Sequence, residues 1–198
     1  MKIKKLLFAS ALLFSAYNAS AQTQVIAHRG FWKTEGSAQN SIAALLKADS
    51  IGCYGSEFDV WLAADDQLVV NHDPTFKGKR MENSPSTALT AIKLDNGESL
   101  PTLAKYLKAA QPLHTRLILE LKAHSTPLRE TKAIEKIVAL VKDMGLEERM
   151  EYITFSLHAT KEFIRLAPEG TPVYYLDGNL SPKELNIPNG FRNAMIWA

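Results

Sequence analysis

"GSEFDVWLAADDQLVVNHD", residues 55–73, contains two apolar runs joined by a short polar segment. The runs, residues 56–62 and 68–71, are rich in the residues that favour strands, and Ala64–Gln67 has the composition of a turn. Two strands separated by so short a turn form a hairpin. We therefore expect the chain to reverse direction here and to bring residue 72 back toward the middle of the first strand.

The first of these strands carries two acids in an otherwise apolar run. Glu57 and Asp59 are two positions apart, so their carboxylates lie on one face, with Phe58 and Val60 on the other. Like charges on a buried face repel unless a cation lies between them, and Mg²⁺ or Ca²⁺ suits carboxylate oxygens. Taken alone, the pair fits surface acids bridged to lysines slightly better than a metal site.

The same signature recurs where other apolar runs end. In "VIAHRGFW", residues 25–32, His28 and Arg29 follow three apolar residues without a polar transition, and His72 follows Val69-Val70. In "LILELK", residues 117–122, Glu120 and Lys122 share one face. Each buried charge is costly unless it is paired, so charges at several strand ends indicate a shared site.

Strand-type and helix-type segments alternate after residue 21, which predicts parallel strands with crossover helices. The expected strands are 24–27, 56–62, 115–124, 151–156 and 172–176, with the hairpin strand 68–71. The expected helices are 41–50 with Asn40 as the cap, 102–110 with Thr102 as the cap, 128–144, 160–166, and a short one from Ser181-Pro182. Residues 77–99 are predicted to be irregular. The candidates are a TIM (β/α) barrel and an open doubly wound sheet, and the lack of G-x-G-x-x-G after any strand disfavours a dinucleotide-binding sheet.

Composition restricts the function class. The hydrophobic share of 46% is that of a globular domain, and a net charge of +2 over 198 residues argues against nucleic acid as a partner. The single cysteine, Cys53, excludes an internal disulfide.

The first 21 residues have the pattern of a signal peptide. "MKIKK" is basic, residues 6–16 are apolar, and "ASA" at 19–21 has the small residues of a cleavage site. The apolar run is too short to span a bilayer, which needs about 20 residues. We expect cleavage after Ala21, a secreted or periplasmic protein with no stable membrane anchor, and one domain over residues 22–198.

In a β/α barrel the carboxyl ends of the strands converge on one site. The strand-end residues would then bring together groups of three kinds. Three carboxylates suit one divalent cation, Mg²⁺ or Ca²⁺; two histidines suit acid–base work; an arginine and a lysine suit a phosphate. Together these groups indicate cleavage of a phosphodiester, and the partner is a small-molecule substrate.

Four motifs occur in this order along the chain: HRG, QNS, SEFDVWLAADDQLVVNHD and LELK. In this pattern the chain resembles the glycerophosphodiester phosphodiesterase family, over residues 25–185. The resemblance implies a TIM barrel that hydrolyses glycerophosphodiesters to glycerol 3-phosphate and an alcohol. It implies that His28 and His72 are the acid–base pair, that Glu57, Asp59 and Glu120 bind the metal, and that Arg29 and Lys122 face the phosphate.

Two departures from the family pattern stand out. The family has Pro-Glu-Asn before its first helix, where this chain has Ala38-Gln39-Asn40. Gln39 carries no negative charge but still forms hydrogen bonds, so we do not expect the change to be inactivating.

The second departure is length. A TIM barrel takes about 250 residues, and this chain shows five core strands, or six with "NAMIWA" at 193–198. We therefore expect an incomplete, truncated barrel, and expect residues 22–198 alone to be unstable with little activity because of open sheet edges. A sphingomyelinase-D-like phospholipase and an inactive barrel fragment remain the alternatives.

Overall fold

The computed structural model describes residues 23–176. Strands and helices alternate through most of this range, as the sequence predicts. The strands are β1 (Ile26–Ala27), β2 (Gly55–Leu62), β3 (Leu68–Val70), β4 (Thr75–Phe76), β5 (Lys79–Arg80), β6 (Arg116–Leu121), β7 (Met150–Thr154) and β8 (Val173–Tyr175). The helices are α1 (Ile42–Ser50), α2 (Ser86–Thr90), α3 (Leu103–Ala110), α4 (Pro127–Asp143) and α5 (Leu157–Leu166).

Five parallel strands form one sheet in the order β1-β2-β6-β7-β8, so each lies beside the next parallel strand along the chain. This unbroken order is that of a β/α barrel, whereas a doubly wound sheet reverses its order at a switch point. The predicted fold class, an α/β protein with the strand order of a TIM barrel, is confirmed, with five parallel strands in the described part.

The predicted hairpin is also confirmed. β3 runs antiparallel to the end of β2, from Val60 opposite Val70 to Leu62 opposite Leu68. β1 pairs with β2 only at Gly55 and Ser56, so β3 takes over the same edge of β2 beyond the end of β1. The hairpin therefore brings residues 71–73 back toward the carboxyl end of β1, on the same edge of β2.

The apolar residues of the sheet divide by face. Side chains on the outer face pack under the helices and form the main core, which includes Phe58, Val60, Leu119, Tyr106, Ile134, Tyr152 and Phe163. The inner face carries Glu57, Asp59 and Glu120 instead. Alternation along the strands thus separates the packing face from the polar face.

Residues 71–100 form a compact excursion between β3 and α3. Its two ends lie side by side, since the Val70 N–H donates to the Pro101 carbonyl at 2.9 Å and Val69 bridges to Thr102. The prediction of an irregular segment over 77–99 is wrong in part, because β5, a 3₁₀ turn at Met81–Asn83 and α2 lie there. The apolar residues of this segment are isolated in the sequence and follow no helical period, so the pattern did not predict these elements. In the structure they pack together into a second small core, which includes Met81, Leu89, Leu94 and Leu100.

The cap of α1 differs from the prediction. Ser41, and not Asn40, is the N-cap, since its hydroxyl accepts from the Ala44 N–H at 3.0 Å. Thr102 caps α3 as predicted. The predicted signal peptide at 1–21, the helix from Ser181-Pro182 and the strand at 193–198 lie outside the described residues. Within residues 23–176 no helix has both the length and the apolar character needed to cross a membrane.

The excursion is anchored to the start of α1 through Glu98. Its two carboxylate oxygens accept from the Ile42 N–H at 3.0 Å and from the Ala43 N–H at 3.1 Å. Asn96 donates to the same carboxylate at 2.8 Å. A carboxylate at a helix N-terminus satisfies unpaired donors and complements the helix dipole.

We predict that Glu98→Ala lowers the free energy of unfolding by about 2 kcal/mol, as expected for loss of charged hydrogen bonds at a helix start. Glu98→Gln keeps acceptor oxygen but not charge, so its loss should be smaller. Urea denaturation measures both. The control Glu169→Gln changes an exposed carboxylate and should stay within about 0.5 kcal/mol of wild type; equal stability of Glu98→Ala and the control would show that the anchor contributes nothing.

His124 links the ends of β2 and β6 away from the polar face. Its Nε2 accepts from the Leu62 N–H at 2.9 Å, its Nδ1 lies 2.6 Å from the Lys122 carbonyl oxygen, and its ring packs against Trp61. These contacts require a neutral ring that donates through Nδ1. Burial lowers the pKa of His124, with Arg129 acting in the same direction and Glu82 opposing it.

A lowered pKa means that the unfolded chain binds the proton more tightly, so this histidine destabilises the fold as the pH falls. Its stabilising contribution should be complete above about pH 6.5, the ordinary histidine pKa, and should decline below it. We predict that the difference in unfolding free energy between wild type and His124→Gln shrinks between pH 7.5 and pH 5. His114→Gln, at an exposed histidine, is the control, and a difference independent of pH for His124 would refute the assignment.

Candidate active site

Three carboxylates from two neighbouring strands meet on the inner face of the sheet. Asp59 in β2 lies opposite Glu120 in β6 in the strand register, and Glu57 precedes Asp59 on the same face. One oxygen from each carboxylate lies within 4.8 Å of the others, and all three residues are buried. The structure thus brings together the three acids that the sequence singled out.

Lys122 lies among these acids. Its ammonium is 2.9 Å from Asp59 Oδ1 and 2.7 Å from Glu120 Oε1. Burial opposes the charged form, but the two carboxylates outweigh it and raise the pKa of Lys122. The lysine therefore keeps its charge and offsets part of the repulsion.

Glu57 is the least compensated of the three. Its Oε2 accepts from the Arg29 N–H at 2.7 Å, while its Oε1 is buried without a hydrogen-bond partner among the described residues. Burial raises the pKa of Glu57 well above its usual value, and the charge of Asp59 adds to the rise. A buried acceptor without a partner in a group of acids is a ligand atom suited to a cation.

His28 and Arg29 end β1 above these acids. His28 Nε2 lies 3.9 Å from Glu57 Oε2, and its side chain is 67% exposed. Partial desolvation by the surrounding protein, together with the neighbouring Arg29, lowers the pKa of His28. Arg29 has φ +60°, which turns the backbone so that its N–H faces Glu57. Gly30 follows because a Cβ there would come within 2.7 Å of Ala44, where α1 passes the loop.

His72 reaches the site from the hairpin. The Asn71 N–H donates to the Asp59 carbonyl oxygen at 3.0 Å and fixes the start of the excursion over β2. His72 Nδ1 lies 2.7 Å from Asp73 Oδ1, which leaves Nε2 for another partner. The placement agrees with the prediction that the hairpin returns this histidine toward Glu57 and Asp59.

Six of the seven predicted residues line one open cavity of about 890 Å³ on the inner face of the sheet, namely His28, Arg29, Glu57, His72, Glu120 and Lys122. The seventh, Asp59, is fully buried and does not line the cavity. A second cavity of about 440 Å³ adjoins it at His72 and is lined by Trp32, Asn40 and Phe76 among others. The two tryptophans near the motifs thus differ: Trp32 borders a cavity, whereas Trp61 belongs to the second core.

Two residues of the site were not identified from the sequence. The Asn40 side chain donates to Asp59 Oδ2 at 2.9 Å and accepts from the Asp59 N–H at 3.1 Å. The Gln39 side-chain oxygen accepts from Arg29 Nη1 at 2.5 Å, so the residue that departs from the family pattern still holds the arginine. Nothing in the sequence pattern distinguishes these roles from helix capping and surface exposure.

The acids fit one divalent cation. They offer hard oxygen ligands within 4.8 Å of one another, and a buried Glu57 oxygen has no other partner among residues 23–176. An all-carboxylate set favours Mg²⁺ or Ca²⁺ over Zn²⁺, which prefers nitrogen and sulfur.

Comparisons with known proteins find chains similar to this one. A curated glycerophosphodiester phosphodiesterase from Caldanaerobacter subterraneus is 30% identical over 161 residues, which are 74% of this chain and 64% of that protein. The crystal structure of a glycerophosphodiester phosphodiesterase from Parabacteroides distasonis is 55% identical, has a TM-score of 0.79, and is matched over 82% of this chain and 68% of that one.

A phosphodiesterase from Oleispira antarctica, solved in complex with the product sn-glycerol-3-phosphate, is 25% identical with a TM-score of 0.68, over 81% of this chain and 68% of that one. No family model matches the chain. The chain therefore spans about two thirds of the length of the relatives that it resembles.

We predict that Glu57→Gln stabilises the cation-free protein, because it removes a buried charge while keeping an acceptor for Arg29. A higher Tm without cation is expected, because the raised pKa of Glu57 means that the fold disfavours its charged form. The matched control is Glu151→Gln: Glu151 is also buried, but Tyr54 and Arg116 donate to it, so this change should destabilise. Thermal melts with and without Mg²⁺ or Ca²⁺ measure both effects; a cation-induced rise in Tm that survives in Glu57→Gln would contradict the role of Glu57.

Proposed function

This chain belongs to the glycerophosphodiester phosphodiesterase family, and we propose that its site serves the hydrolysis of glycerophosphodiesters to glycerol 3-phosphate and an alcohol. The observation that carries the proposal is the meeting of three acids, two histidines, an arginine and a lysine at the carboxyl ends of neighbouring strands. The Oleispira relative with bound sn-glycerol-3-phosphate supports the choice of product.

In this proposal Glu57, Asp59 and Glu120 hold one divalent cation, Mg²⁺ or Ca²⁺. When bound, the cation neutralises charge on the phosphate and polarises its oxygens. Arg29 and Lys122 add two positive groups beside the same cavity, and Gln39 orients the Arg29 guanidinium. The positive charges of Arg29 and Lys122 stabilise the transition state, in which negative charge accumulates on the phosphoryl oxygens.

We assign the base to His28 and the acid to His72. The lowered pKa of His28 keeps its ring neutral near pH 7, so it can accept a proton from the attacking group, either water or the glycerol hydroxyl of the substrate. Attack by water gives glycerol 3-phosphate directly, whereas attack by the glycerol hydroxyl gives a cyclic phosphate that water then opens. Asp73 accepts from His72 Nδ1 and orients the ring, which, when protonated, donates from Nε2 to the departing alcohol. The 440 Å³ cavity that borders His72 gives the alcohol half of the substrate a place beside this donor.

We predict that His28→Ala and His72→Ala each lower release of glycerol 3-phosphate from glycerophosphocholine by about 10²–10⁴, the usual contribution of a general acid or base. A chelator should abolish turnover, and added Mg²⁺ or Ca²⁺ should restore it. An ester of glycerol phosphate with p-nitrophenol separates the roles, because its leaving group needs no proton. His72→Ala should regain most of its activity on this ester, whereas His28→Ala should not.

His114→Ala is the control and should keep wild-type turnover. The same changes at the aligned positions of the Parabacteroides distasonis relative give a readout that does not depend on the stability of residues 22–198. Turnover within a few-fold of wild type in either histidine variant would remove that residue from the mechanism, and absence of any diesterase activity in both wild-type proteins would overturn the proposed function.

A further inference from the structure

Asn40 makes a reciprocal pair of hydrogen bonds with one acid of the site. Its side-chain N–H donates to Asp59 Oδ2 at 2.9 Å, and its side-chain oxygen accepts from the Asp59 backbone N–H at 3.1 Å. Both residues are buried, with 2% and 0% of their surface exposed. Because the two contacts bind the backbone and the carboxylate of Asp59 at once, they fix the rotation of that carboxylate.

Lys122 holds the other oxygen of the same carboxylate. Its ammonium lies 2.9 Å from Oδ1, so the two Asp59 oxygens have partners from different parts of the chain: Lys122, directly after β6, at Oδ1, and Asn40, in the β1–α1 loop, at Oδ2. The asymmetry between them matters. The lysine attracts the carboxylate by charge with little directional preference, whereas the amide provides a fixed donor direction.

The backbone at Asn40 restricts which residue can make this contact. Its φ is +60°, a conformation that glycine, asparagine and aspartate adopt at low cost. Glycine has no amide to donate, and aspartate would place a fourth negative charge against Asp59. Asparagine is therefore the residue that meets both the backbone and the electrostatic requirement.

Asn40 also ties this contact to a second acid. Its backbone N–H donates to the Arg29 carbonyl oxygen at 3.0 Å, and the Arg29 N–H donates to Glu57 Oε2 at 2.7 Å. The two ends of the loop between β1 and α1, both at φ +60°, thus each hold one carboxylate. The loop links Glu57 and Asp59 from above, while β6 supplies Glu120 from the side.

We propose that Asn40 is a positioning residue, which holds the Asp59 carboxylate in the orientation that binds the divalent cation. The inference rests on the proposed function for the identity of the bound group. Loss of a residue that hydrogen-bonds to a metal ligand typically lowers metal affinity by a factor of about 10–100.

The test compares Asn40→Gly with Ser41→Ala. Asn40→Gly keeps the φ of +60° and removes the amide. Ser41→Ala removes the adjacent N-cap hydroxyl, which accepts from Ala44 and Ala38 but does not touch Asp59. Both changes weaken the start of α1, so any effect that they share is structural.

Isothermal titration of the folded variants with Mg²⁺ and with Ca²⁺ is the first readout. We expect Asn40→Gly to bind the cation at least 10-fold more weakly than wild type, and Ser41→Ala to stay within about twofold. The second readout, hydrogen exchange of the Asp59 amide without cation, should show lost protection in Asn40→Gly alone.

Equal cation affinity for Asn40→Gly and wild type would overturn the proposal, as would equal losses in the two variants. If the wild type binds the cation but releases no glycerol 3-phosphate, the proposed function fails while the affinities still decide the role of Asn40. If the wild type hydrolyses substrate without binding Mg²⁺ or Ca²⁺, the metal part of both proposals is overturned.

Discussion

Repulsion among three buried carboxylates is the constraint to which the rest of this structure responds. Glu57, Asp59 and Glu120 have oxygens within 4.8 Å of one another, and all three residues are buried. Such a group is stable only where positive charge and fixed donors compensate it. Lys122 supplies the charge, the Arg29 N–H and the Asn40 amide supply the donors, and Glu57 Oε1 is left without a partner in the described part.

The strand pattern allowed the acids of the site to be predicted from the sequence. Period-two alternation separates Glu57 and Asp59 from Phe58 and Val60, and convergence of parallel strand ends brings Glu120 to the same face. The short turn after Leu62 forces β3 to run antiparallel to β2, and this brings His72 back toward Asp59. These are local rules, and they fix the inner face, the hairpin and the barrel order without knowledge of distant contacts.

The missed features depend on contacts between segments far apart in sequence. Asn40 precedes a helix, so local rules assign it to capping, yet the serine beside it caps the helix and Asn40 turns toward β2. Glu98 reaches across 56 positions to Ile42, which no periodicity reveals. The elements inside the excursion have the same origin, because isolated apolar residues such as Met81 and Leu89 gain their order only by packing together.

The excursion over residues 71–100 leaves and rejoins the barrel at adjacent points, where Val70 bonds to Pro101 and Val69 bridges to Thr102. A segment whose ends already touch can be lengthened, shortened or exchanged at small entropic cost, because no strand on either side has to move. The excursion borders the smaller cavity through Phe76 and Leu94 while the acids stay on the strands. The part of the excursion beyond Asp73 can therefore reshape the smaller cavity, while the acids stay on the strands and His72 stays at the start of the segment.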